Sequence, residues 1–480
     1  MHRRPRNSSL PGSPSHTAPI ERRLLRWVPV AVAGVALVAT TLSASSVAQA
    51  RTTNTVSTNW TTYHANSLET GVAPTTAAFT HPTLAWTSPV LDGQLYGEPL
   101  VQGGLVVAAT ENDVVYGINA TNGTVAWSTR VGTAVPASSL PCGDITPNVG
   151  ITSTPVIDAS RSEVFVVADE VTGAVISHHL VGLSLSTGSI LLNQVVDPPG
   201  TLTAAQLQRP GLALDQGSVE VAFGGNAGDC STYHGWVVSV PESGGALRSW
   251  EADPSPGNDQ GAVWLGGAAP VVDSSGNVWV ATGNGSNTTG SSPDGSDSVI
   301  ELSSSLGPVQ SFTPSTWRTD NAADFDLGSS APALMGNGLV FMAGKSQTAY
   351  LLNQSKLGGV GTQVAQRSFC GSVVDGGDAF TTTVVYAPCL RGVEAVKVIA
   401  HSHRMRVLWK TSTGSSGPPI IAGNMIWTLR RDGTLFGLRK SNGRPMVRLT
   451  VGAPANHFAT PSVGDGLLLA TSANQVVAFH

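Results

Sequence analysis

The sequence predicts an all-β chain, an eight-bladed β-propeller of four-stranded blades. Three observations predict it. Short β-branched runs separated by Gly, Asn, Asp and Ser recur about every ten residues after residue 80, and no long window has a 3.6-residue apolar period. The runs group into eight larger units at intervals of roughly 40–60 residues, the range of four-stranded blades. The last unit lacks a strand, and a spare strand stands before the first.

The first fifty residues read as an address. Arg22-Arg23-Leu24-Leu25-Arg26 precedes an uncharged stretch, 27–42, and Ala48-Gln49-Ala50 supplies the small-x-small pattern of a cleavage site. That stretch is short for a bilayer, which needs about 20 residues, so a cleaved export signal (1–50) is expected rather than an anchor. Twin-arginine and general export both remain open. No later segment is apolar for long enough to cross a membrane, so a secreted or envelope-associated protein is expected. Residues 51–80 read as an N-terminal linker and 81–480 as the propeller.

Composition sets limits on partners. Of 480 residues 41% are hydrophobic and 12% charged, enough apolar surface for a large core. Residues 1–50 hold six Arg and one Glu, which leaves 20 basic and 30 acidic groups in the remainder. A chain that acidic has no electrostatic footprint for nucleic acid or anionic lipid.

The units follow in order. Glu98-Pro99 opens the first, which runs through 104–109 and 114–119 to a Thr121-Asn122-Gly123 turn and Val125-Ala126-Trp127. Further units open at Thr154-Pro155, Arg209-Pro210, Ala269-Pro270, Ala331-Pro332, Phe380-Thr381, Pro418-Pro419 and Thr460-Pro461. One quartet cannot bury both faces, but a ring of quartets does. The eighth unit ends after 476–479 with three strands, and Thr83-Leu84-Ala85-Trp86-Thr87 is the orphan fourth. Set beside the C-terminus, it closes the ring and hides both terminal edges.

Cys142, Cys230, Cys370 and Cys389 are widely spaced with no CxxC or CxxCH, against zinc and covalent haem. Three connectivities are possible; a local Cys370–Cys389 bridge and a longer Cys142–Cys230 bridge are expected.

The element from Val115-Tyr116-Gly117 through Thr121-Asn122-Gly123 to Trp127 resembles the repeat of the pyrroloquinoline-quinone (PQQ) propeller superfamily. That superfamily holds quinoprotein alcohol dehydrogenases and non-enzymatic scaffolds of the outer-membrane assembly type. The resemblance spans roughly residues 60–480 and implies the fold; function it leaves between the two branches.

The segments between repeats are similar to the dehydrogenase branch. Trp264, followed by Ala281-Thr282-Gly283-Asn284-Gly285, resembles the stretch in which a Trp supports the quinone and an Asn binds the metal. Asp324-Phe325-Asp326 resembles the segment holding the catalytic base, implied at Asp324, and an extra metal ligand, implied at Asp326. Lys345 stands where the family places a cation against the quinone. Gly224-Gly225-Asn226-Ala227-Gly228-Asp229 resembles the Gly-rich turn whose acidic residue is a metal ligand, with Asp229 for the usual Glu. The resemblance thus implies PQQ with Ca²⁺ or a lanthanide, and a small-molecule alcohol as substrate.

Blade geometry supports the grouping. Loops between second and third strands, which carry Asp229, Asn284 and Lys345, share one face with the loops between blades, which carry Asp324 and Asp326. Carboxylates with an amide oxygen suit a hard cation. Other residues depart from the branch. Cys142-Gly143-Asp144 replaces a Cys-Cys-Asp run, Asn148-Val149-Gly150 stands where an Arg is expected, and no late-blade Trp matches the quinone floor. The alternative is a non-catalytic propeller that binds an envelope protein or a glycan. Asp and Asn in turns also bond their own backbone, and Trp127, Trp250, Trp264 and Trp279 suit blade packing. His178-His179 and His401-Ser402-His403 lack partners at ligand spacing, and His234 beside Trp236 is the more promising histidine.

Overall fold

The computed structural model describes residues 58–480 apart from 76, 78 and 372. The expected export segment and the first residues of the expected linker lie outside the described residues.

Eight antiparallel blades follow in chain order: 100–130, 156–195, 213–251, 271–313, 333–368, 379–410, 420–450 and 462–479. Each starts within three residues of the opening expected from sequence. Blades 3 and 4 carry one further short strand each, Gln206–Leu207 and Gly359–Val360. Leu84–Thr87 completes blade 8. Leu84 stands opposite Phe479, Trp86 opposite Ala478 and Thr87 opposite Val477. Thr83 and His480 exchange backbone hydrogen bonds of 2.9 and 3.0 Å beyond that register. The ring therefore closes as the sequence predicts.

Burial follows from the stacking. Second strands such as Ser218–Gly225 and Leu339–Ala343 are buried at every residue, because each faces a neighbouring blade on both sides. Outermost strands such as Val125–Arg130 and Pro445–Thr450 alternate between half-buried and exposed, since water reaches one of their faces.

Tryptophans join the blades. Trp86 of blade 8 lies over Gly123 of blade 1 and donates from Nε1 to the Ala120 carbonyl at 2.8 Å. Trp127 of blade 1 lies over Gly188 of blade 2 and donates to the Leu185 carbonyl at 2.9 Å. Trp409 of blade 6 lies over Gly443 of blade 7 and donates to Lys440 at 3.0 Å. A Cβ at Gly123 would sit 2.6 Å from the indole, and its φ of +74° is a second reason for glycine. The repeat's Gly and Trp are two halves of one contact.

The segment 58–73, read from sequence as linker, is part of the ring. Trp60 exchanges backbone bonds with Val101 of blade 1, and Thr61, Ser67, Thr70 and Gly71 carbonyls accept from Ile157, Val272, Phe380 and Ile421. These partners sit on innermost strands of five different blades. Trp60, Tyr63 and His64 are buried there, with Tyr63 and His64 stacked at 4.2 Å. Burial of aromatic side chains on the ring axis, not composition, fixes this segment.

Both expected disulfides are present, Cys142–Cys230 and Cys370–Cys389, with Cα separations of 6.2 and 5.7 Å.

Candidate functional site

Loops on one face of the ring enclose a central cavity of about 510 Å³. Asp229, Trp264, Asn284, Asp324, Asp326 and Lys345 all line it. Asp229 comes from the second-to-third-strand loop of blade 3, Asn284 from that of blade 4 and Lys345 from that of blade 5. Trp264 lies between blades 3 and 4, and Asp324 and Asp326 between blades 4 and 5.

Within the cavity these residues pair in a particular way. Asp326 is buried, and one of its oxygens accepts the Asn284 backbone N–H at 2.8 Å. Its other oxygen is ion-paired with Lys345 Nζ, which also lies 3.4 Å from Asp324 Oδ1. Burial raises the Asp326 carboxyl above its ordinary range, and Lys345 only partly offsets that. For Lys345 burial acts downward, but Asp326 and Asp324 more than reverse it and hold the ammonium above its ordinary range. Asp324 is exposed at the mouth, with φ +54°. Asp229 accepts from the Tyr233 hydroxyl at 2.7 Å, and that contact together with burial raises the tyrosine.

The three carboxylates are not gathered at one point. Among the described residues, the cavity holds no three His or acidic groups whose ligand atoms lie within 4.8 Å of one another. Lys345 supplies the positive charge between Asp324 and Asp326, and Asp326 has a partner for each oxygen. The Asn284 side-chain amide, by contrast, makes no hydrogen bond with the described residues and is nine-tenths buried in the cavity wall.

Sequence reasoning missed much of the wall. Arg209, Tyr96, Asp375, Arg431, His457 and Phe458 also line the cavity. His457 Nε2 is 3.1 Å from Asp375, and its ring lies 3.8 Å from that of Phe458. The Arg209 guanidinium lies 4.8 Å from the Phe458 ring centre. One signal was available: Arg209 precedes a blade-opening Pro where other blades have Glu98, Thr154, Ala269, Ala331, Pro418 and Thr460. His178 and His234 lie outside the cavity wall. His178 is buried between Asp197 at 2.7 Å and Asp169 at 3.6 Å, and His234 stands 3.5 Å from Glu251.

The sequence model of the family described as outer membrane protein assembly factor BamB matches residues 81–287. Among solved structures, the quinohemoprotein alcohol dehydrogenase from Comamonas testosteroni superposes with a TM-score of 0.67 at 15% identity. The match covers 88% of this chain and 80% of that one. Residues 81–287 carry the repeat of that family, and the chain as a whole has the propeller fold. The propeller is also similar to a europium-containing methanol dehydrogenase, with a TM-score of 0.64, 13% identity and coverage of 88% and 98%. BamB from Moraxella catarrhalis gives 0.55 at 15% identity, covering 83% of this chain and 99% of that one. No curated protein matches the chain by sequence. At these identities the likeness is one of fold, and both branches of the superfamily are represented.

Proposed function

We propose that this PQQ-repeat propeller is an exported quinoprotein-type oxidoreductase whose central cavity takes a planar, anionic quinone of the PQQ class. One observation carries the reading: six residues spread from 229 to 345 and chosen for that chemistry line a single cavity of about 510 Å³. That volume is within the usual range for a small-molecule site, roughly 300–1,000 Å³. Trp264 and Phe458 offer aromatic faces, and Lys345 and Arg209 offer positive charge to an anionic ring system. A bound quinone supplies the hydride acceptor. Asp324, exposed at the mouth, is the carboxylate placed to take the proton of an alcohol hydroxyl, and Lys345 beside it stabilises the charge that develops. Lys345 stands between Asp324 and Asp326 where a cation would otherwise sit, so no step is derived through a metal.

The test is an absorbance spectrum and dye-linked alcohol oxidation after addition of PQQ, with and without Ca²⁺ or La³⁺. A quinone spectrum and turnover, the latter lost in Asp324→Ala with the spectrum retained, support the reading. No spectral change at millimolar PQQ overturns it.

A second reading rests on the Asp326 contacts. A carboxylate whose two oxygens are satisfied by Lys345 and Asn284 needs no ligand, as in a non-catalytic propeller that binds an envelope protein or glycan. Among the described residues no helix is long and apolar enough to cross a membrane.

A further inference from the structure

Arg209 is the most unusual group in the cavity wall. It is 7% exposed, its Nη2 has no hydrogen-bond partner, and no carboxylate of the described residues stands within ion-pair reach. The guanidinium carbon lies 4.8 Å from the Phe458 ring centre, and at Gly267 a Cβ would lie 2.9 Å from the guanidinium nitrogens. Gly267 has φ +85°, so the chain keeps that space clear with a residue that also tolerates the backbone. Burial lowers the Arg209 pKa, and Glu111 is the first of several more distant groups that act against the shift. At the equivalent position before the opening Pro, other blades use Glu98, Thr154, Ala269, Ala331, Pro418 and Thr460, none of them a cation, so the ring itself does not require one there. A buried charge without hydrogen bonds is unfavourable unless a ligand completes it.

We infer that Arg209 is the anchor for a carboxylate on a planar organic ligand, bound against Phe458 and Tyr96. The guanidinium fork matches a carboxylate with two parallel N–H···O bonds. Asp144, Asp229, Asp324, Asp326 and Asp375 line the same cavity, so a carboxylate, which spreads one charge over two oxygens, fits beside Arg209 better than a compact dianion such as phosphate. His457, its ring 3.8 Å from that of Phe458 and tilted by 38°, adds a second ring to that part of the wall. The inference deepens the quinoprotein reading, because it rests on the cavity being a ligand site, yet it does not require redox chemistry.

The experiment titrates the whole protein with sodium benzoate, its neutral isostere benzamide and inorganic phosphate, by calorimetry and thermal shift. Benzoate should bind at least about tenfold tighter than benzamide, the scale of a charge-assisted hydrogen-bond pair. Arg209→Met should remove that difference and leave benzamide unchanged. The same variant should raise the ligand-free Tm, because an unpaired buried cation has gone. Arg209→Lys should keep part of the preference, since it retains charge but not the fork. Equal affinity for benzoate and benzamide in the unmodified protein overturns the inference without any variant. So does phosphate binding tighter than benzoate, or a Tm that falls in Arg209→Met while benzoate affinity is unchanged. PQQ turnover without benzoate selectivity defeats this inference and spares the quinoprotein reading. Benzoate selectivity without PQQ turnover supports the inference and defeats that reading.

Discussion

Lys345 is tied to Asp326 twice across the junction of blades 4 and 5. Its ammonium pairs with the buried carboxylate, and its backbone N–H donates to the Asp326 carbonyl at 2.9 Å. Side chain and main chain thus hold the same two residues together, and the cavity floor is organised around a cation that belongs to the chain.

Removing that cation should be costly and pH-dependent. Lys345→Met leaves the Asp326 charge buried without its ion partner, a loss of about 3 kcal/mol at neutral pH. A carboxyl held above its unfolded pKa weakens folding as pH rises through that raised value. The defect should therefore be smaller at pH 5 than at pH 8. Adding Asp326→Asn should recover most of it. Urea denaturation of the two single variants and the double variant checks this, and strict additivity would reject the pairing.

Buried carboxyls should give the whole propeller an inverted pH profile. Burial pushes Glu111 up to about 8, Asp113 up to about 9 and Asp253 up to about 8. Groups raised in the folded state bind protons that the unfolded chain releases near pH 4. Stability is then greatest at the acidic end and falls as pH rises through those values. Chemical denaturation between pH 5 and 9 measures the slope, and Glu111→Gln should flatten it.

Ring closure depends on Trp86 as well as on its strand. The indole is buried over Gly123 and its N–H is bonded to the Ala120 carbonyl. Trp86→Ala should cost about 3–5 kcal/mol, and Gly123→Ala a comparable part of that. Hydrogen exchange should show the loss first at 467–472 and 475–479, the strands next to Leu84–Thr87. Uniform loss around the ring would contradict a closing role.

Cysteine chemistry offers an independent check. Alkylation of the denatured, unreduced protein should find no free thiol. Cys142–Cys230 closes a loop of 88 residues, for which chain entropy gives about 4.6 kcal/mol. Both its ends flank the cavity wall at Asp144 and Asp229. The Cys142→Ser and Cys230→Ser double variant should weaken ligand binding in the cavity, while the double variant at Cys370 and Cys389 should affect stability alone.

Blade number, blade boundaries and ring closure were legible in the sequence because each is a local signal repeated. A Pro before an inner strand, a Gly turn and a Trp in the outer strand are each set by backbone conformation or by packing with the adjacent blade. Repetition made the missing strand of blade 8 and the spare strand at Leu84–Thr87 visible as a pair. Asp229, Asn284, Asp326 and Lys345 could be placed on one face because a propeller's loops alternate between faces. Their partners could not be read. Whether Asp326 meets a metal or Lys345 depends on side-chain positions at a junction of two blades, which no period encodes. Arg209 resembled a blade opening until Phe458, 249 residues away in sequence, came to lie against it. The polar segment 58–73 read as linker, and only the ring's axis gave Trp60 and Tyr63 somewhere to be buried. Local backbone chemistry determined the ring; long-range desolvation at its centre decided which charges stand paired and which stand alone.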